Sequence, residues 1–308
     1  MNKIMVLLLS IFFLGVGLIW FFKKELDERY LVPQQLVQER VQFYGTPQVE
    51  YRVETAEESF NSVMLIIKSL PWFQQHGYHV VLPAHEEFKK IYENPKTDID
   101  EDKLKRIFLS EIYDKSKVLK GALHIVQHTE HTVKRALKKF SVLQKKWGFV
   151  LLPKYEIVLS PFGIAGFYEW WTEKARIVLL AHPNKTLDVR DVAASILHEM
   201  VHVGTDKIIV EKYKLSHWQK ERLVDLVCML YLKDVMPYYH PDDLREKKGD
   251  RRVDAFVDYD AIVDDLPAAI EKFANKYVDG DRSSDEVVAY DGYNLPAELA
   301  MFAKRYRG

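Results

Sequence analysis

The chain has 308 residues, of which 48% are hydrophobic, 29% charged and 13% aromatic, a composition that excludes a globally disordered protein. The 44 Lys and Arg residues nearly balance the 45 Asp and Glu residues, and a formal net charge of −1 argues against nucleic-acid binding as the main function. The single cysteine, Cys228, excludes an internal disulfide.

The N-terminal residues predict a membrane anchor. Residues 4–22 are uncharged and apolar, and Lys23 and Lys24 follow them. A helix of about 19 residues is roughly 28 Å long, close to the thickness of the hydrocarbon core of a bilayer. Small residues at a cleavage spacing are missing, which favours an uncleaved single-pass anchor (residues 1–22) over a removed signal peptide.

Two rules give opposite predictions for the side of the membrane on which the remainder of the chain lies. The basic residues after the apolar run favour a cytoplasmic domain by the positive-inside rule. An N-terminal signal-anchor normally carries the following domain across the membrane, so we expect the remainder in the periplasm or at the cell surface. Residues 23–54 are charged and rich in Gln, with a Gly45-Thr46-Pro47 break, and are interpreted as a stalk.

Helices and three strands are expected next. Apolar spacing predicts helices over residues 54–75, 84–92, 101–114 and 116–147, the last ending at Gly148, and a short strand over 78–82. Apolar and β-branched runs predict two further strands, Tyr155 to Ser160 and Ala175 to Ala181. Between them we expect a loop containing Gly163 and Gly166 that carries four aromatic residues, Phe167, Tyr168, Trp170 and Trp171.

The sequence His198-Glu199-Met200-Val201-His202 has the pattern H-E-x-x-H. The preceding run from Asp188 is typical of a helix, with Asp188 as a candidate N-cap. Residues four apart lie on one helix face, so His198 and His202 can direct two imidazoles at one ion. Glu199 is then placed to handle a proton on a metal-bound water.

A second helix is predicted from Ser216, which forms a capping-box pattern with Gln219. It carries Glu221 and Asp225, four residues apart. H-E-x-x-H followed by E-x-x-x-D resembles the gluzincin branch of the zinc metallopeptidases over about residues 155–235.

The resemblance implies a role for each matching residue. His198, His202 and Glu221 would be ligands of one Zn²⁺, and Glu199 would be the general base. Asp225 would accept a hydrogen bond from a ligand histidine. A Tyr or His after the ligand helix would stabilise the oxyanion, which makes Tyr238, Tyr239 and His240 candidates.

The resemblance also implies an α+β, zincin-like fold. A small mixed sheet would have its edge strand, residues 175–181, directly before the H-E-x-x-H helix, and a peptide substrate would add a strand to that edge. From the pattern of the chain itself we expect one catalytic domain over residues 55–240 and, with a helical pattern at Ile262 to Tyr277, a mostly helical C-terminal extension over residues 241–308.

Alternatives remain open for the site and for the function. The two histidines could be ordinary helix residues, or Glu221 could belong to a surface ion pair while Asp225 or His217 binds the metal. The leading hypothesis is a membrane-anchored zinc metallopeptidase. Its competitors are a zinc hydrolase that acts on another amide, such as cell-wall peptides, and a non-catalytic membrane-tethered binding or assembly protein.

Overall fold

The computed structural model describes residue 43 and residues 45–75, 77–113, 120–181, 187–239 and 249–278. The predicted anchor, residues 4–22, lies outside these ranges. Within them, no helix has both the length and the apolar character needed to cross a membrane.

A four-stranded mixed sheet lies at the centre of the fold. In chain order its strands are β1 (Gln48–Val53), β2 (Lys154–Ser160), β3 (Gly166–Trp170) and β4 (Lys174–Leu180). Across the sheet they lie in the order β1-β2-β4-β3. Strands β1, β2 and β4 run parallel, and β3 is antiparallel to β4. The predicted α+β class with a small mixed sheet is therefore confirmed, as are the strands predicted near residues 155–160 and 175–181.

The prediction that residues 175–181 form the sheet edge is wrong. Strand β4 has β2 on one side and β3 on the other, so the edge strands of the described sheet are β1 and β3, and β3 is the one beside β4. This strand comes from the segment predicted as an aromatic loop. All five of its residues are half-buried, so it lacks the alternation of buried and exposed positions that identifies a strand from sequence.

Helices make up most of the remaining structure. In chain order they are α1 (Ala56–Lys68), α2 (Leu70–Gln75), α3 (Glu86–Glu93), α4 (Glu101–Ile107), α5 (Lys120–Gln127), α6 (Glu130–Trp147), α7 (Val189–Thr205), α8 (His217–Leu226) and α9 (Tyr259–Tyr277). Short π-helical segments continue α4, α7 and α8, at Phe108–Ile112, Asp206–Val210 and Val227–Tyr231 respectively. A single α-helical turn, Glu211–Tyr213, follows the second of these, and a 3₁₀-helix, Arg251–Ala255, precedes α9.

Three predicted elements differ from the structure. The helix predicted over 54–75 is divided at Ser69 between α1 and α2. The helix predicted over 116–147 is divided between α5 and α6, and the Thr129 hydroxyl at the division donates to the Val126 carbonyl at 2.7 Å. A threonine hydroxyl that bonds to the backbone in this way competes with helix continuation. Gly148 ends α6 with a φ of 85°, as predicted. The strand predicted over 78–82 is reduced to a single bridge between Val81 and Gly163.

Helix α7 is buried along almost its entire length. The sheet face formed by Tyr155, Ile157 and Leu159 of β2 and Ala175, Ile177 and Leu179 of β4 packs in one hydrophobic core with α6 and α7. Each fully buried large side chain contributes about 1.5–3 kcal/mol relative to an exposed one. This packing surrounds the H-E-x-x-H segment with buried side chains.

The predicted stalk and C-terminal extension both contain parts of this fold. Strand β1, within the range predicted as a stalk, pairs with β2 along its whole length. Helix α9, within residues 241–308, contributes Ile262 and Phe273 to the main core. The Trp147 indole at the end of α6 donates to the Ile262 carbonyl at 2.7 Å.

Candidate metal centre

Two helices supply the candidate ligands. Helix α7 begins at Asp188, whose carboxylate accepts from the Arg190 amide at 2.7 Å. Helix α8 begins with the predicted capping box between Ser216 and Gln219. Both predicted helix starts are confirmed. The two helices bring His198 and His202 of α7 and Glu221 of α8 together in one cluster.

The ligand atoms of the cluster lie close together. The Nε2 atoms of His198 and His202 are 3.0 Å apart. One carboxylate oxygen of Glu221 is 3.4 Å from His198 Nε2, and the other is 3.4 Å from His202 Nε2. Three ligand atoms about 2.1 Å from a common ion at tetrahedral angles lie about 3.4 Å from one another. One ligand atom from each of the three residues lies within 4.8 Å of the other two, so the cluster is compact enough to surround one ion.

The protonation states also fit a metal centre. Both histidines are 2% exposed, and burial lowers the pKa of His202 to about 3. Burial alone would raise the pKa of Glu221, but interactions with the two imidazoles outweigh it and hold that pKa well below its usual value. The neutral imidazole and the ionised carboxylate are the forms that bind metals.

Asp225 and Tyr239 fix the orientation of His198. The Tyr239 hydroxyl donates to the Asp225 carboxylate at 2.6 Å, and the same hydroxyl oxygen is 3.0 Å from His198 Nδ1. Because the hydroxyl proton is used for Asp225, Tyr239 accepts a hydrogen bond from Nδ1–H. This network assigns the tautomer in which Nε2 carries the lone pair that faces the cluster.

Glu199 points to the edge strand. A Cβ atom on Gly166 would stand 3.1 Å from Glu199 Oε1, so the absence of a side chain at Gly166 leaves room for this carboxylate. Glu199 is 9% exposed, which makes it more accessible than either histidine.

The three predicted oxyanion candidates have different surroundings. The Tyr239 hydroxyl lies at His198 Nδ1, and therefore at the opposite ring nitrogen from the one that faces the cluster. Tyr238 lies beside Arg190, whose guanidinium is 6.0 Å from the Tyr238 ring centroid. His240 lies outside the described residues.

The alternative third ligands have other partners. Asp225 approaches the Nδ1 side of His198, at 3.4 Å. His217 Nδ1 is 3.7 Å from a Glu221 oxygen, and its Nε2 is 2.6 Å from the Tyr78 hydroxyl. Among the described residues, the one group of three or more potential ligands within 4.8 Å of one another is His198, His202 and Glu221.

Two residues at the centre were not identified from sequence. Lys220 is buried, and its Nζ is 4.0 Å from Glu221 Oε1 and 3.4 Å from the Tyr168 hydroxyl. Asp206 is buried and accepts from that same hydroxyl at 2.7 Å. The aromatic residues before β4 form a recognisable group in the sequence, but their spacing contains no signal for a contact with a residue 38 positions later.

Comparisons with known proteins do not identify a relative. No protein-family model matches the chain, and no curated protein or solved structure is significantly similar to it.

Proposed function

We propose that this chain is a zinc-dependent metallopeptidase in which His198, His202 and Glu221 hold the ion. The observation that carries the proposal is the convergence of these three side chains, each with a ligand atom within 4.8 Å of the other two. The hydrogen-bonded support of His198 by Tyr239 and Asp225 adds to it, since metal-ligating histidines almost always donate their other ring N–H in this way.

Zinc is the ion that best suits this donor set. Two imidazole nitrogens and one carboxylate oxygen are typical of catalytic zinc sites, which keep one further position open for water or substrate. Hard ions such as Ca²⁺ and Mg²⁺ prefer oxygen ligands throughout. Zinc bound here would retain a net positive charge, lower the pKa of a bound water and polarise a substrate carbonyl.

Glu199 is the proposed general acid and base. Its carboxylate would accept a proton from the attacking water and deliver that proton to the departing amine. Glu199 follows His198 directly on a buried, rigid helix, and the bare backbone of Gly166 lies beside its carboxylate. Gly166→Ala should therefore displace the carboxylate and lower kcat without releasing the metal.

Strand β3, which lies at one end of the described sheet, is the proposed peptide-binding strand. Leu180 donates to the Ala165 carbonyl and Trp171 to the Lys174 carbonyl, so odd-numbered residues of this segment bond to β4. In an antiparallel pair the hydrogen-bonding direction alternates, and the backbone groups of Gly166, Tyr168 and Trp170 therefore face away from β4. A peptide bound along this strand would pass Gly166 and therefore lie beside Glu199.

The apolar residues 4–22 support the further proposal of a single-pass membrane protein with its catalytic part outside the cytoplasm. A peptide or protein is the proposed substrate. Nucleic acid is not expected as a partner, because the net charge is close to zero.

The test compares wild type with Glu199→Gln in the full-length chain, using a mixed peptide library and metal analysis. Loss of the general base should lower peptide cleavage by about 10²–10⁴-fold while the zinc content stays at the wild-type level. Asp191→Asn is the matched control, because Asp191 is an exposed carboxylate in the first turn of the same helix. Wild type that holds zinc but cleaves no peptide would overturn the proposal in favour of a non-catalytic binding or assembly protein.

A further inference from the structure

Tyr168 of the edge strand contacts two residues of the helical segment that carries the ligands. Its ring is stacked on the His202 imidazole, with centroids 5.1 Å apart and planes 9° from parallel. Its hydroxyl donates to Asp206 Oδ2 at 2.7 Å. Because His202 and Asp206 are four residues apart, one lies above the other on the helix, and Tyr168 spans the turn between them.

Asp206 is a fixed anchor for that hydroxyl. It begins the π-helical segment directly after α7 and is 1% exposed. A carboxylate buried to this extent is costly unless it is hydrogen-bonded. The Trp170 indole nitrogen, 3.4 Å from the same Asp206 oxygen, provides a second donor from the same strand.

The Tyr168 hydroxyl also faces the helix that carries Glu221. The Lys220 ammonium donates to it at 3.4 Å. The hydroxyl therefore lies between a buried cation and a buried carboxylate, and a hydroxyl can satisfy both because it donates and accepts. These bonds restrain the tilt of the ring that lies on His202.

The two ligand histidines are supported in different ways. His198 is oriented through Nδ1 by Tyr239 and Asp225. His202 Nδ1, in contrast, is buried without a hydrogen-bond partner among the described residues. Packing is thus left to set the plane of the His202 ring, and Tyr168 supplies a parallel surface at stacking distance.

We propose that Tyr168 is the positioning residue of His202: its ring sets the plane of the imidazole, and Asp206 and Lys220 hold that ring in place. The inference rests on the proposed metal centre, but it does not require peptidase activity. The aromatic segment before β4 then has a defined role, which is to complete the metal centre from the edge strand.

Zinc affinity of the full-length chain tests this role. Each metal-free variant is titrated with Zn²⁺ in competition with a chromophoric chelator, and the visible spectrum of the Co²⁺-loaded form reports ligand geometry. Tyr168→Leu removes the planar surface and should raise the zinc Kd by about 10–100-fold, the range found for partners of metal ligands. It should also change the Co²⁺ spectrum. Tyr168→Phe keeps the ring and should retain the wild-type spectrum, with a rise in Kd of less than tenfold.

Phe167→Leu is the matched control, because neighbouring residues of a strand point to opposite faces. It should leave both the Kd and the spectrum unchanged. If Tyr168→Leu does not fold, Tyr168→Met fills a similar volume without a planar face and is expected to give the same increase in Kd.

The outcomes separate this inference from the proposed function. A Tyr168→Leu chain with wild-type Kd and Co²⁺ spectrum would overturn the positioning role, whether or not the wild type cleaves peptides. A wild type that binds zinc, loses affinity in Tyr168→Leu and cleaves nothing would support the positioning role and overturn the peptidase. A wild type with no measurable zinc affinity would overturn both.

Discussion

Replacing Tyr239 by Phe distinguishes the two roles open to this residue. As an oxyanion stabiliser it would act on the reaction, whereas its position behind His198 predicts an effect on metal binding. The substitution removes only the hydroxyl that links His198 Nδ1 to Asp225, through contacts of 3.0 Å and 2.6 Å.

The size of the effect follows from those contacts. A hydrogen bond to a charged group contributes about 1.5–3 kcal/mol. The direct approach of His198 Nδ1 to Asp225, 3.4 Å in the structure, survives the substitution and offsets part of the loss. We therefore expect the lower end of the range, about 1.5 kcal/mol, which weakens zinc binding about tenfold.

The assay measures the zinc Kd by chelator competition, and kcat with zinc in excess. Tyr239→Phe should raise the Kd about tenfold and leave the kcat of the loaded enzyme within about threefold of wild type. Tyr238→Phe is the control and should change neither value, because its ring lies beside Arg190. A normal zinc Kd with a loss in kcat of about 10²–10³-fold would refute the reasoning and assign Tyr239 to the oxyanion.

Two further predictions concern stability and are checked by urea unfolding of the full-length chain. A Cβ on Gly204 would stand 1.9 Å from the buried Phe149 ring, so Gly204→Ala should lower the free energy of unfolding by about 1–3 kcal/mol. Gly121→Ala, with no atom within 4 Å of the new Cβ, should be neutral or stabilising, and equal effects of the two changes would contradict this. Burial opposes ionisation of Glu58, but hydrogen bonds from Arg52 and the Thr55 amide outweigh it and lower the pKa of Glu58 from 4.5 to about 2. A folded-state pKa below the unfolded one stabilises the protein above pH 4.5 and ceases to do so as the pH falls to about 2. Glu58→Gln should therefore be less stable than wild type by about 1 kcal/mol at pH 7 and equally stable near pH 2, and a difference independent of pH would contradict the assignment.

Local features of the site could be predicted from sequence. The N-cap Asp188, the capping box of Ser216 and Gln219, and the shared face of His198 and His202 all depend on residues a few positions apart. Such features follow from helix geometry alone.

Pairing between distant segments could not be predicted in the same way. A run of β-branched residues identifies β4 as a strand, but it does not say which strands lie beside it. β1 lies about 100 residues before its partner β2 and begins in a segment whose composition is that of a linker. The order of the strands depends on contacts between residues far apart in the chain, such as those that join β2, β4, α6 and α7 in the main core.

The same limit applies to the residues that support the ligands. The place of Tyr239 shortly after the Glu221 helix makes it a candidate from sequence, yet its position relative to His198 depends on the turn after Val227–Tyr231. Tyr168 and Asp206 come together only when β3 packs against the end of α7. Hydrogen bonds and stacking across the fold have no periodicity in the chain, so no pattern in the sequence could indicate them.

Zinc stoichiometry is the most direct test of the central claim, which is that one ion is coordinated by His198, His202 and Glu221. Full-length wild type, Glu221→Ala and the control Glu211→Ala, which changes an exposed glutamate, are loaded with Zn²⁺, passed through a desalting column and analysed for metal. The account predicts one tightly held zinc per chain in wild type and in Glu211→Ala, and loss of that zinc in Glu221→Ala. A Glu221→Ala chain that keeps a full equivalent at wild-type affinity, or a folded wild type that retains none, would contradict it.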